Sequence, residues 1–444
     1  MKIRYLALTI LLINLCLFAP ATGFAQTQIQ KWQDGKKGCV TPTFDDGSIN
    51  QFRIALPLMN ERGLLATFFI NTGNLPGSKY QPTFVGRPIQ EIVRESATIP
   101  TNQGNLSERC SALRYLNQTR KFPEVNDFSE MEVGELVEAG KPEHAFSMID
   151  STFRRLRASG QTFEVQPTSH RVGKNYKLSW EQFREIAEQG HEFADHTISH
   201  PYLPVLDEAN ILYEIEKCRD DIVSNLGAKH GLSIECPYGI EDERVLQYVY
   251  PEFPFVRNRI TDSYIKEILR GDPVEPVSSD REYVQWQRGP LSDTPMDVMK
   301  QWIDVTIAQN VWLLLVFHGV EGVGWEALPK EHFVEYFDYI KGKDGNLWNA
   351  TFQDAYKYIR ERMYGKVETE STADAITVTL AHDLNQQIYD LPLTLRTLVP
   401  ENLQTVQFQQ GETKKNLTVQ KEGTIAFVQY QAMPNAANIL ILKK

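Results

Sequence analysis

Apolar and polar positions alternate with three different textures along this chain, and each texture predicts a different kind of structure. In the first, short apolar runs rich in β-branched and aromatic residues read as strands at Gly38–Phe44, Leu65–Ile70, His191–Asp195, Leu232–Cys236, Phe255–Val256, Val311–Phe317 and Leu347–Thr351. Helical patterns separate them. The helix Trp180–Gln189 has clear ends: Ser179 stands at the N-cap, Gln182 holds the capping-box position and Gly190 stops it. The helix Phe352–Met363 follows the last strand. Strand–helix alternation predicts an α/β fold with a parallel sheet, either open or closed into a barrel.

From Gly73 to about Tyr176 the rhythm breaks. Pro82, Pro88 and Pro100 interrupt the first part, and Met131–Ala139 and Glu143–Ala158 follow with helical patterns. About a hundred structureless residues do not fit a compact domain, so this stretch reads as an insertion with its own helices. The tail, from Val367 to Lys444, changes again to short β-type runs at Ala375–Leu380, Leu393–Arg396, Thr405–Phe408, Leu417–Gln420, Thr424–Gln429 and Ile439–Lys443. Turn residues separate them, as in a small β-sandwich. Its role is either structural or one of carbohydrate binding and docking. The expected plan is residues 1–25 as a leader, 26–365 as the α/β domain with an insertion at about 75–176, and 366–444 as a small all-β domain.

Composition adds the compartment. Lys2 and Arg4 precede a mostly apolar run, Leu6 to Phe18, and Gly23-Phe24-Ala25 places small residues where a signal peptidase reads, so cleavage is expected after Ala25. The run is short of the ~20 residues that span a bilayer, and Leu15 before Cys16 is too bulky for a lipoprotein signal. No later stretch is long and apolar enough to span. A secreted or periplasmic protein without a membrane span is expected. The remaining cysteines, Cys39, Cys110, Cys218 and Cys236, are far apart, which excludes a disulfide scaffold and leaves room for one bridge. A formal charge of −11 argues against nucleic acid as partner.

Four strand ends carry chemistry. Thr43-Phe44-Asp45-Asp46-Gly47 puts two carboxylates at the end of an apolar strand, with Gly47 to turn the chain. In parallel α/β folds the carboxyl ends of strands are where active sites lie. His196-Thr197-Ile198-Ser199-His200 follows a strand and spaces two imidazoles at i and i+4, which face one way if the segment is helical. Two His and one Asp make a three-ligand zinc set with a position left for water. Thr197 stands where a zincin would carry Glu, so a general base must come from elsewhere. Glu235-Cys236-Pro237-Tyr238-Gly239 and Leu314-Leu315-Val316-Phe317-His318-Gly319 complete the series.

These four motifs, in this order, resemble the polysaccharide deacetylase family, the NodB-homology fold of carbohydrate esterase family 4. The resemblance covers about Lys37–Asn74 and Lys177–Met363 and leaves the insertion and tail unexplained. It implies a distorted (β/α) barrel, here with a helical insertion and a C-terminal β-sandwich-like domain. It implies Asp46, His196 and His200 as ligands of one divalent metal ion, most often zinc, and a water activated there as nucleophile. Asp45 becomes the general base, His318 the general acid, and the Tyr238 backbone N–H an oxyanion donor. The implied activity is hydrolysis of N-acetyl or O-acetyl groups on an acetylated glycan or oligosaccharide.

The chain also departs from the family. The third motif usually carries an Arg two residues before the Pro, paired with the catalytic Asp, and here that position is Glu235. A carboxylate cannot replace a guanidinium. Arg257, on the strand just after this motif, is the candidate to orient Asp45 in its place. Asp293 and Asp297 are both candidates to orient His318. Asp195 is either a support for His196 or a plain strand-end residue. Trp325, in the Gly-rich loop after His318, is either a sugar-stacking surface or a buried anchor. Two other functions remain: a non-catalytic glycan-binding protein on the same scaffold, and a C–N hydrolase acting on a non-sugar amide.

Overall fold

The run Gly38–Phe44 forms strand β2, buried along its whole length, and a parallel sheet grows on both sides of it. The structure, a computed structural model, describes residues 26–165, 178–239, 242–257 and 285–443. The leader and the end of the insertion near Tyr176 lie outside the described residues. On one side of β2 lie β3 (Thr67–Ile70), β4 (Glu192–Asp195), β5 (Ser233–Ile234) and β6 (Phe255–Val256). On the other lie β8 (Trp312–Phe317) and then β7 (Trp286–Arg288), while β9 (Leu347–Asn349) pairs with the start of β2. Every pairing in this sheet is parallel. Near-continuous apolar runs are what a parallel sheet covered on both faces requires. A ladder of Phe44, Phe68 and Phe193 crosses one face at centroid spacings of 5.3 and 5.7 Å. Phe52 and Phe183 pack onto it from flanking helical segments.

The register sets up the site. Phe44 is opposite Phe68 and Phe317, Ile70 is opposite Asp195, Asp195 opposite Ile234, and Ile234 opposite Val256. The strands therefore end close to one level. The first residues past β2, β4, β5, β6 and β8 are Asp45, His196, Glu235, Arg257 and His318.

The helix predicted at Trp180–Gln189 runs from Trp180 to Glu188 with both halves of the capping box formed. Several elements were not anticipated. The helices Glu208–Leu226 and Met296–Gln309 and the short strand β7 belong to the barrel. In the insertion, Ile89–Glu95 and Leu106–Thr119 are helices ahead of the expected pair, which run Glu130–Glu138 and Pro142–Ser159. Pro88, expected as an interruption, is instead the N-cap of one helix, and Pro142 is the first residue of another, where its missing N–H costs nothing. These helices pack around Leu113, Leu116, Ile149 and Phe153, and Tyr202 and Val205 of the barrel enter the same cluster.

The tail forms two antiparallel sheets. One contains β1 (Thr27–Ile29), β12 (Leu393–Leu398), β16 (Ile425–Ala432) and β15 (Gln420–Glu422). The other contains β10 (Lys366–Ser371), β11 (Ala375–Ala381), β17 (Ile439–Lys443), β13 (Thr405–Gln410) and β14 (Thr413–Thr418). The run expected at Leu417–Gln420 is thus two strands, parted at Val419 and paired into different sheets. Cys39, Cys110, Cys218 and Cys236 are all free and buried, so no bridge links them.

Candidate metal centre and catalytic site

At the end of β2 the chain reverses through two left-handed residues, Asp46 (φ 71°) and Gly47 (φ 65°). Gly47 was the expected turn residue; Asp46 shares the turn. The reversal separates the two carboxylates. Asp45 is buried beneath the rim, whereas Asp46 is partly exposed above it.

The segment His196–His200 is not helical. Thr197 (φ 67°) and His200 (φ 56°) both take left-handed backbone, and the loop folds back so that the two rings lie 4.9 Å apart. Non-glycine residues hold such conformations only where their surroundings impose them. The imposed contacts are visible. The Asp195 carboxylate accepts the Thr197 N–H at 2.8 Å, and the Thr197 hydroxyl accepts the His200 N–H at 3.0 Å. Asp195 thus holds the loop rather than an imidazole ring. The Asn71 amide, at the end of β3, donates to the His196 carbonyl.

Asp46 Oδ1 lies 3.7 Å from His196 Nε2 and 3.4 Å from His200 Nε2, and one ligand atom from each residue falls within 4.8 Å of the others. A tetrahedral ion with bonds of about 2.0–2.1 Å sets its ligand atoms about 3.3 Å apart, close to the two Asp46–His separations, so this donor set is one that could hold a divalent cation. Ring chemistry agrees. The backbone carbonyl of Glu235 can only accept, so His196 Nδ1 donates to it at 2.7 Å and Nε2 keeps its lone pair. Burial, and then the neighbouring His200, pushes His196 down to about 3, and burial brings His200 down to about 4. Both imidazoles are neutral near pH 7, as ligands must be. Burial, with the Asp45 charge beside it, raises Asp46 to about 6. A carboxylate so penalised is one that a cation would stabilise.

Asp45 is held differently. Arg257 Nη1 and Nη2 donate to its two oxygens at 2.9 and 2.5 Å. Burial alone would raise its pKa, but Arg257 and then His318 outweigh burial and hold it well below the usual carboxylate range. Arg257 Nε faces Glu235 Oε2 at 3.1 Å, Nη1 also donates to the Thr43 hydroxyl at 2.7 Å, and the guanidinium lies over the Phe69 ring at 4.5 Å. Arg257, at the next strand end, thus makes the contact to Asp45 that an Arg at position 235 was expected to make, and Glu235 is its second carboxylate partner.

His318 Nε2 lies 3.5 Å from Asp45 Oδ2. Among the described residues neither Asp293 nor Asp297 makes an ion pair with this ring; the acid that does is Asp45. Trp325 is 59% exposed and packs edge-on to His318 at 4.8 Å, so it is a surface aromatic and not a buried anchor. Tyr238 (φ 66°) is 42% exposed and sets its ring 4.7 Å from that of His200. Two aromatics thus flank the polar centre.

Sequence reasoning missed Gln51. Its amide donates to the Asp45 carbonyl at 2.6 Å and to the His318 carbonyl at 2.7 Å, tying the ends of β2 and β8 together. It sits in the π-helical turn Gln51–Ala55, and nothing local distinguishes it from any polar residue of an amphipathic segment. Asn71 had a signal that went unused: it is the first residue past β3, as the named residues are past theirs.

Residues 153–250 match the family model described as "Polysaccharide deacetylase". That stretch includes His196, His200 and Tyr238. The chain is also similar to solved structures. One is the Xyl-CE4 domain of a multidomain xylanase from the hindgut metagenome of Trinervitermes trinervoides (13% identity, 72% of this chain and 90% of that one, TM-score 0.30). Another is a family 4 carbohydrate esterase from Streptomyces lividans in complex with acetate (11%, 71% and 92%, 0.31). A third is a family 4 carbohydrate esterase from Bacillus anthracis (13%, 74% and 86%, 0.32). The sequence match spans the second and third motifs, and the first and last motifs meet them at one end of one parallel sheet, so residues 153–250 of this chain are similar to the polysaccharide deacetylase family.

Proposed function

We propose that this protein is a secreted, metal-dependent hydrolase that removes N-acetyl or O-acetyl groups from a glycan. The observation that carries the reading is Asp45: a buried carboxylate kept ionised by a two-point Arg257 contact, beside a three-ligand donor set and facing His318. A binding protein has no use for a base, an acid and a metal set converging on one point. Asp46, His196 and His200 would hold the cation. When bound, a divalent cation there supplies Lewis-acid polarisation of the acetyl carbonyl and lowers the pKa of a water.

The chain's own residues do the rest. Asp45, anchored by Arg257, takes the proton of the attacking water as its oxygen adds to the carbonyl carbon. The Tyr238 N–H donates to the oxyanion that develops. As the C–N or C–O bond breaks, His318 gives a proton to the leaving nitrogen or oxygen, and acetate departs. Trp325, exposed beside His318, offers an apolar face on which a sugar ring can stack.

The test is acetate release by the full chain from chitooligosaccharides, peptidoglycan fragments, acetylated xylan and acetylated pectin, with zinc and after chelation. Release from at least one substrate is expected, lost on chelation and restored by zinc, with Asp45→Asn at least about 10²-fold slower. A zinc-loaded chain that releases acetate from none of them overturns the reading.

A further inference from the structure

The insertion lies outside the four motifs, yet it grips the loop that carries His200. Arg114, on the helix Leu106–Thr119, is buried and donates from Nη2 to the carbonyl and the hydroxyl of Ser199, at 3.0 Å each. Gln118, one turn on, donates to the same hydroxyl at 3.3 Å. Glu214, on the helix Glu208–Leu226, takes the Ser199 N–H at 2.9 Å and its O–H at 2.5 Å. Every polar group of Ser199, the residue before His200, is therefore engaged, two of them by the insertion.

The other flank is held as well. Glu130, on the helix Glu130–Glu138, accepts the Tyr202 N–H at 3.0 Å and pairs with Arg114 Nε at 2.6 Å. Glu138 accepts the Tyr202 hydroxyl at 2.6 Å. Gly134 of the same helix sits so close that a Cβ there would lie 2.1 Å from Tyr202 Cε1. The Tyr202 ring packs on Tyr238 at 5.7 Å, and Tyr238 packs on His200. Between these flanks stands His200 itself, in left-handed backbone. A loop with such a residue at its ligand needs outside contacts to keep it there.

We propose that the helical insertion is a clamp for the metal loop, and that Arg114 and Gly134 are positioning residues for His200. This rests on reading Asp46, His196 and His200 as metal ligands. Arg114 touches neither metal nor substrate. Its guanidinium spreads three nitrogens over three partners: Nη2 on both oxygens of Ser199, Nε on Glu130 and Nη1 3.6 Å from Glu214. A lysine keeps the charge but loses the fork. Gly134→Ala keeps every charge and acts through Tyr202, which packs on Tyr238 and is bonded to Glu130 and Glu138.

Zinc alone is titrated into the metal-free full chain against a chromophoric chelator, and melting of the metal-free protein is followed in parallel. The wild type is expected to bind one zinc. Arg114→Lys and Gly134→Ala are expected to bind it about 10- to 100-fold more weakly, the range for losing a group that orients a ligand, while their metal-free forms still melt cooperatively. Because coupling is reciprocal, zinc must also slow hydrogen exchange in the wild-type helices Leu106–Thr119 and Glu130–Glu138, a readout that needs no variant. Wild-type zinc affinity in either folded variant, or unchanged exchange in both helices, overturns the clamp alone. A wild type that binds no zinc overturns the metal reading first and the clamp with it.

Discussion

Arg257 concentrates more of the site's electrostatics than any other single residue in it. It is buried with two carboxylates, Asp45 and Glu235, and one cation cannot balance both. The fork decides where its charge goes: two parallel bonds to Asp45, one side contact to Glu235. A lysine is a single point donor on a flexible stem and cannot hold both Asp45 oxygens. Arg257→Lys is therefore expected to lower kcat by about 10²-fold, the scale of a small misplacement of a reacting group, with KM little changed. Arg257→Ala takes the guanidinium away from two buried carboxylates and is expected to cost about 3–5 kcal/mol of stability as well. Steady-state acetate release and denaturant melts separate the two effects. A lysine variant at the wild-type rate would remove Arg257 from the mechanism.

Between elements, the opposite end of the sheet is tied by another buried acid. Glu192, at the start of β4, accepts from the Thr67 hydroxyl of β3 at 2.7 Å, the Ser233 hydroxyl of β5 at 2.5 Å and the Gln353 N–H of the helix Phe352–Tyr364 at 3.0 Å. Burial outweighs these donors and raises its pKa from 4.5 to about 7. The folded chain then binds more protons than the unfolded one between those values, so this group's contribution to stability falls as pH rises through that window. Glu192→Gln, which cannot ionise, is expected to flatten the wild-type loss between pH 5 and pH 8 by on the order of 2 kcal/mol. Denaturant midpoints of metal-free protein at the two pH values measure it; parallel slopes for both proteins would show that Glu192 is not the group responsible. What was legible in the sequence follows the same division between local and distant causes. The helix after Ser179 was readable because its capping box is four consecutive residues, and Asp45, His196 and His318 because each directly follows an apolar run. The i, i+4 spacing of His196 and His200 fits a helix and equally fits a loop with two left-handed residues, and sequence does not print φ. The pairing of Arg257 with Asp45 was open to inference from a missing charge. Gln51, Arg114 and Gly134 were not, since their meaning lies in residues that are distant along the chain and adjacent only in the fold.

At the scale of the whole molecule, the barrel and the β-sandwich share residues rather than merely touching. Strand β1 opens the described chain but belongs to the sandwich, pairing antiparallel with β12. Tyr358 lies on the helix that closes the barrel, yet its fully buried ring sits in the sandwich core with Leu393, Leu395 and Val428. Its hydroxyl donates to the Gln30 carbonyl at 3.0 Å and accepts the Thr394 N–H at 3.3 Å, so one side chain joins the barrel helix, the segment after β1 and strand β12. Trp348 of β9 packs edge-on to it at 5.2 Å. Units that share core side chains in this way unfold together, because neither can open without exposing the other's apolar surface. A single calorimetric transition is expected for the full chain. Tyr358→Ala removes a buried aromatic, at a cost of about 3–5 kcal/mol, and strands two backbone groups without their hydroxyl partner. It is expected to split the transition in two, with the sandwich melting first and the barrel, which holds the proposed metal site, second. The assignment of the second peak is checked by zinc, which stabilises only the unit that binds it: the upper transition should move with zinc concentration while the lower stays fixed. One undivided transition in Tyr358→Ala, shifted as a whole by zinc, would mean that the two units are coupled through β1 and the remaining interface without this side chain.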